Sequence, residues 1–425
     1  MDSTIYSVKA REILDSRGNP TIETTVLLNS GYSGTASVPS GASVGTYEAI
    51  ELRDLDMKRY DGRGVLKAVS NTNDVIGPKM KGMDALAQRI LDKTLNDLDG
   101  TPNKDKLGAN SILSVSMAAA VAASHHVKLP LYQYLHSLVN GGKSLAMTRI
   151  PTPIFNMVNG GKHGGGNLDF QEYHIIPATN RSFHEALRMG SELYHAVLKL
   201  LVNRGAVHAT GDEGGFAPNL STNMDPLEIL TESIRTSPYR FGVDVFFGLD
   251  VAASSLKTDR GYQIKDRPVA YQTSEFIQYL NELHGIYPLL ILEDPLGEDD
   301  WEGWIEINRE LGRDILLVGD DLLTTNPVRL AKAIEKKACS AILLKPNQIG
   351  TLSEFLEVVA LAKKNDIKCI VSHRSGETTD TFIADLSVAV QSDYVKFGAP
   401  ARGERVTKYN RLLQIESDLL NTLKA

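Results

Sequence analysis

Asp250, Glu293 and Asp320 each close a short apolar run, VFFGLD, LLILE and ILLVGD, and Lys345 closes a fourth, AILLK. Two more runs fit the series: CIVSHR, with His373 and Arg374, and YVKFG, with Lys396. From 250 the landmarks fall at 293, 320, 345, 373 and 396, steps of 43, 27, 25, 28 and 23 residues. Each step holds one strand and one helix. Charged groups then stand at the carboxyl ends of parallel strands, where such sheets carry their active sites.

Three carboxylates in one cleft lose hydration and repel one another, so something positive must accompany them. Oxygen ligands from three acids suit a hard divalent cation, Mg2+ above all. One acid alone would be read as a helix cap; three on consecutive strands favour a metal. A lysine ending an apolar strand is often a salt-bridge partner. Beside a metal, the cation's field and partial burial disfavour the ammonium of Lys345, which turns it towards general-base chemistry. A Schiff-base role would not need the acids. SHRSGET at 372–378 offers Arg374, Ser375 and backbone N–H groups as a cradle for phosphate or carboxylate, against the plainer reading of a polar loop. GDEGGF at 211–216 puts Asp212 and Glu213 in a glycine-flanked turn whose default is solvation. NGGKHGGGNLDFQE at 159–172 gives His163 in a glycine-rich loop and Glu172 on the strand after it.

The elements that must place these groups are legible. TIETTVLL at 21–28 alternates as a strand does, and the glycine- and serine-rich SVPSGASVGTYE follows at 37–48. Helical patterns then run from about Gly64 to Leu135, including the alanine-rich GANSILSVSMAAAVAASHH. Together these predict a compact α+β unit. VNGGKS at 139–144 reads as a linker, which sets expected domains of 1–138, an α+β capping domain, and 139–425, a β/α barrel carrying the active site. In the second half, QTSEFIQYLNEL should bury Phe276, Tyr279, Leu280 and Leu283. Asn326 should cap a helix with Pro327 in its first turn. Thr351 and Glu354 have capping-box spacing above a stripe of Leu352, Phe355, Leu356 and Val359. Five strand–helix units in a row favour closure into a barrel over an open sheet.

Of the 425 residues, 42% are hydrophobic and 23% charged, values of an ordinary globular chain. A net charge of -7 argues against nucleic acid as a partner. Cys339 and Cys369 are the only cysteines and lack metal-site spacing, so they are expected to be buried thiols. No apolar stretch is long enough to span a bilayer and the first residues lack a secretory pattern, which points to the cytoplasm.

At this density of motifs the chain resembles the enolases along almost its whole length. The match is carried by DSRGNPT at 15–21, VPSGAS at 38–43, NKDKLGAN at 103–110, NGGKH at 159–163, QE at 171–172, GDEGGFAPN at 211–219, GLD at 248–250, EDP at 293–295, GDDL at 319–322, LLKPNQIGTLSE at 343–354, SHRSGETTDTFIADL at 372–386 and GAPARGER at 398–405. The resemblance implies an N-terminal α+β domain and a barrel of order ββαα(βα)6. It also implies reversible dehydration of 2-phospho-D-glycerate to phosphoenolpyruvate with two Mg2+ ions, the second bound with substrate. By carry-over, Asp250, Glu293 and Asp320 hold the first metal, and Ser43, in a mobile loop, helps with the second. Lys345 takes the C2 proton, and Glu213, beside Glu172, protonates the departing hydroxyl. Gln171, His163, His373 and Lys396 contribute to substrate binding, and Arg374 with Ser375 holds the phosphate. The family's members are usually homodimers, some assembled into octamers, and surface binding of plasminogen or of an RNA-degrading complex is known among them. Val44, Gly164, Tyr173-His174, Ser255 and Phe397 depart from the family's usual Thr, Ala, Phe-Met, Glu and Thr, and none removes a residue with a direct chemical role. A racemase or cycloisomerase would need neither Glu213 nor a phosphate cradle, and a non-catalytic scaffold should show broken ligands where none are broken.

Overall fold

The computed structural model describes residues 2–41, 45–141, 147, 149–165 and 167–422. Two compact units divide it: 1–149 with 344–360 and 373–392, and 150–343 with 361–372 and 393–425.

The first unit holds a three-stranded antiparallel sheet, β1 (Ile5–Leu14), β2 (Pro20–Leu28) and β3 (Ser33–Ser37), in that order. The alternation along TIETTVLL is the alternation of this sheet, with Ile22, Val26 and Leu28 inside. The helix Ala109–His126 is buried along nearly its whole length. Its alanines permit close approach: a Cβ on Gly34 of β3 would lie 2.2 Å from Ala122 N. Among the described residues no single helix is long and apolar enough to cross a membrane; this one and Leu131–Val139 would qualify only as a pair bent by 108°.

The second unit is built on a closed barrel. Its strands are β4 (Thr152–Asn159), β5 (Glu172–Pro177), β6 (Val245–Asp250), β9 (Leu289–Glu293), β10 (Leu316–Gly319), β11 (Ala341–Leu344), β12 (Lys368–Ser372) and β13 (Tyr394–Lys396), with a small ribbon, β7 (Lys257–Thr258) and β8 (Gly261–Tyr262), inserted after β6. Around the barrel the order is β10-β11-β12-β13-β4-β5-β6-β9. β4, β5 and β6 pair antiparallel, whereas β6 pairs parallel with β9, and β9 parallel with β10. Helices Phe183–Asn203 and Asp225–Arg235 fall between β5 and β6, so the expected ββαα(βα)6 order is the one observed. The strands read as continuous apolar runs because both faces are covered. Ile154, Ile176, Ile291, Val318, Ala341, Leu343 and Ile370 form one inward cluster. Truncating one of these isoleucines to alanine should cost roughly 2–5 kcal/mol.

Helix ends follow the expected chemistry. Asn326 accepts from Val328 N and Arg329 N, with Pro327 in the first turn. Glu354 N bonds Thr351 Oγ1 at 3.3 Å. The helix Thr273–Ile286 buries Phe276, Ile277, Leu280 and Leu283. Tyr279 is only half-buried, and so is Leu356 of the later stripe, where Val358 goes inside instead.

Candidate active site

Strand register assembles most of the site. Asn159 on β4 pairs with Glu172 on β5, Glu172 with Asp250 on β6, and Asp250 with Glu293 on β9. Four adjacent strands therefore carry one row of polar side chains at one rim of the barrel, with neighbouring Cβ atoms roughly 4.5–5.5 Å apart. β13 is four strands from β9 in the eight-stranded order. Lys396, at its end, crosses the barrel interior to that row. Its Nζ lies 2.8 Å from Glu293 Oε2 and 3.2 Å from both Asp250 Oδ2 and Glu172 Oε2.

One ammonium faces three carboxylates, and all four side chains are buried. Burial opposes charge on Lys396, but Glu172, Glu293 and Asp250 outweigh it and hold the amine well above its ordinary range. Burial also pushes Glu172 up, yet Lys396, the nearby His163 and a hydrogen bond from His174 bring it well below the usual carboxylate range. Glu293 goes the other way: burial first, then Asp250, raise it well above that range despite Lys396. The row carries more negative charge than its lysine offsets, which is the condition a divalent cation satisfies.

Asp320 follows β10 and belongs to a second knot of acid. Its backbone N–H donates to Asp294 Oδ1 at 3.0 Å, and that of Asp321 to Asp294 Oδ2 at 2.7 Å. Asp294 is buried with a positive φ of 41°. Burial, then Asp321 and Asp320, push its carboxyl well above the usual range. Ligand atoms of Asp294, Asp320 and Asp321 lie within 4.8 Å of one another, as do those of His163, Glu172 and Glu213. The expected set of Asp250, Glu293 and Asp320 is neither of these two tight groups; Asp250 and Glu293 direct oxygens at Lys396. Gln171 joins the Asp250 side, donating from Nε2 to Oδ2 at 3.1 Å.

Glu213 does not sit in the solvated turn that is the default for GDEGGF; it is buried. Side chains hold the turn's carbonyls. Arg402 Nη1 donates to Gly211 O, Arg405 Nη2 to Asp212 O and Tyr194 Oη to Gly214 O. The glycines are required by close approach: a Cβ on Gly211 would lie 2.3 Å from His163 O. Asn156 Nδ2 donates to Glu213 Oε2 at 3.2 Å. His163 Nδ1 lies 3.3 Å from Glu172 Oε1 and 3.6 Å from Glu213 Oε1, between the two acids. Neither approach has full hydrogen-bond geometry.

In the first unit, Lys345 directly follows β11 and is half-buried. His373, Arg374 and Ser375 follow β12 and are buried. Arg374 Nη1 donates to Glu48 Oε2 at 2.7 Å and to Asn347 Oδ1 at 3.0 Å, while Nη2 reaches Glu48 Oε1 at 3.3 Å. This bidentate pairing fixes the guanidinium plane. Gly376 and Ser40 exchange backbone hydrogen bonds, and a Cβ on Gly376 would lie 2.3 Å from Asp15 Oδ2. Ser43 and Val44 lie outside the described residues.

Sequence reasoning missed Glu48, Asp294, Asn156 and His174. Asp294 and Glu48 stand inside motifs already singled out. His174 had a sharper signal: two residues after Glu172 on a strand, it must share that residue's face.

Residues 147–424 match the family model described as enolase, C-terminal TIM barrel domain, and residues 5–135 the one described as enolase, N-terminal domain. The chain is also similar to a protein of Beutenbergia cavernae named enolase, with 50% identity over 415 residues, covering 98% of this chain and 95% of that one.

Proposed function

The chain belongs to the enolase family, and we infer from this that it is a hydro-lyase converting 2-phospho-D-glycerate reversibly to phosphoenolpyruvate and water, a step of glycolysis. The structural observation that carries the reading is Lys396 reaching across the barrel to the row Glu172, Asp250, Glu293.

The family implies a divalent metal, and the excess negative charge of the row fits one. Asp250, Glu293 and Asp320 would hold the first Mg2+, and Ser43 would assist a second that arrives with substrate. When bound, the cations offset charge developing on the substrate carboxylate; the enolase superfamily is itself the established example of a Lys or His base working with one or two Mg2+ ions.

The remaining work falls to side chains. Lys345 removes the C2 proton. Glu213 donates a proton to the C3 hydroxyl, which leaves as water while the C2–C3 double bond forms. Asn156 orients Glu213, and Glu172 and His163 stand beside it. Lys396 stays cationic and stabilises the charged substrate throughout. Arg374 and Ser375, with His373, bind the phosphate, and Gln171 holds Asp250 in place. Residues 1–138 form the N-terminal domain and 139–425 the barrel domain in this reading; the protein works in the cytoplasm as a homodimer or a higher assembly such as an octamer.

The test is growth of enol-phosphate ultraviolet absorbance from 2-phosphoglycerate, with Mg2+ and with EDTA. A flat trace in saturating Mg2+ overturns the reading. Lys345→Ala should lose at least about 10²–10⁴-fold in turnover, the usual contribution of a placed base, while phosphoglycerate still binds by calorimetry. Near-normal turnover in that variant would remove Lys345 from its role.

A further inference from the structure

We propose that His174 is a positioning residue for Glu172, donating from Nε2 to one carboxylate oxygen so that the other stays turned towards His163. The proposal rests on the role given above to Glu172.

Residues 172 and 174 lie on one face of β5. His174 is fully buried, and its Nε2 is 2.8 Å from Glu172 Oε2. Lys396 Nζ approaches the same oxygen at 3.2 Å, and His163 Nδ1 lies 3.3 Å from Oε1. The two holders of Oε2 differ in kind. An ammonium acts as a point charge and would donate to either oxygen, and a glutamate's terminal torsion is broad and nearly two-fold. Lys396 therefore keeps Glu172 close without deciding its orientation. An imidazole N–H is directional and decides it.

The ring is itself locked. A carboxylate facing Nε2 needs a donor, so the N–H belongs on Nε2; Nδ1 has no hydrogen-bond partner among the described residues. In register, His174 is flanked by Asn156 on β4 and Gly248 on β6. A Cβ on Gly248 would lie only 3.3 Å from both Cβ and Nδ1 of His174. The ring packs against that glycine, in space that any side chain at 248 would crowd. Asn156, on its other side, holds Glu213. One cross-strand row thus orients both acids that flank His163.

The test uses His174→Leu and His174→Gln in the full-length protein. Glutamine can present an N–H close to the place of Nε2; leucine cannot. Loss of one directional bond to a charged group predicts about a tenfold fall in kcat for the leucine variant, with KM within about twofold, and recovery to within about threefold of wild type in the glutamine variant. Nitrogen-15 NMR of histidine-labelled protein should show the His174 proton on Nε2, with that signal lost in both variants. A folded leucine variant with wild-type kcat overturns the proposal. So does a folded glutamine variant as impaired as leucine, or a His174 proton on Nδ1. If leucine abolishes cooperative unfolding, the glutamine variant and the NMR signal decide. Failure of the underlying reading is separate: wild-type protein would then not turn over 2-phosphoglycerate at all.

Discussion

Replacing Lys396 by methionine keeps the apolar stem and removes the charge. In the native protein Nζ lies within 3.2 Å of three carboxylates, none with a side chain more than 3% exposed. The substitution therefore leaves Glu172, Asp250 and Glu293 buried without their cation. Replacing a whole buried ion cluster by apolar groups can be neutral, but removing one partner costs about 3–5 kcal/mol because the remaining charges have no compensation. At about 2–4 °C per kcal/mol for a unit of this size, Tm in EDTA should fall by about 6–20 °C. A cation that binds only the native state stabilises it by about 2.7 kcal/mol at a hundredfold excess over Kd. With more uncompensated charge waiting, the variant should gain more from Mg2+ than wild type does. Turnover should drop by about 10²–10³-fold, the usual effect of losing one preorganised electrostatic contact. Scanning calorimetry with EDTA and with Mg2+ reads the first two quantities, and the enol-phosphate assay the third. A Tm in EDTA within about 2 °C of wild type would refute the charge argument.

Three further outcomes follow from the same geometry. Burial opposes charging His163, but Glu213 and then Glu172 and Asp250 raise its imidazole above the ordinary 6.5. The folded state binds that proton more tightly than the unfolded chain, so the stabilisation is complete below 6.5 and fades as pH rises through the raised value. Urea midpoints of His163→Gln should accordingly fall less steeply above pH 6.5 than those of wild type; parallel curves would exclude the effect. Burial pushes the Cys339 thiol up to about 12, and Cys369 is buried too. At about pH 8 neither should react with a disulfide reagent until the protein is denatured, and rapid labelling of the native protein would contradict this. In Gly211→Ala the new methyl meets the His163 carbonyl at 2.3 Å, a backbone atom that no rotamer change can move. We expect about 1–3 kcal/mol of destabilisation and a loss of turnover; a variant matching wild type in urea would show that the turn yields freely.

What the sequence determined by itself was periodic or local. Apolar runs closing on charge at strand-plus-helix spacing announce the parallel part of the barrel, because strands covered on both faces cannot hide their composition. Asn326-Pro327 and Thr351-Glu354 mark helix starts because caps act within one turn. The motifs around Asp250, Glu293, Lys345 and Arg374 carry the family reading for the same reason: each is contiguous. Tertiary structure decided what depends on register and burial. No local pattern places Glu172, Asp250 and Glu293 in one cross-strand row, or sends Lys396 over the barrel to meet them. Glu213 looks like a solvated turn residue until Tyr194, Arg402 and Arg405 are seen to hold its loop inside. Glu48 stands far along the chain from the Arg374 it grips, and Asp294 ties down the Asp320 loop. His174 becomes a partner of Glu172 only once a strand has set both on one face and Gly248 has left room for the ring. Except for His174 and Glu172, these pairings join residues remote in sequence, and the strength of all of them comes from desolvation that only the folded interior supplies.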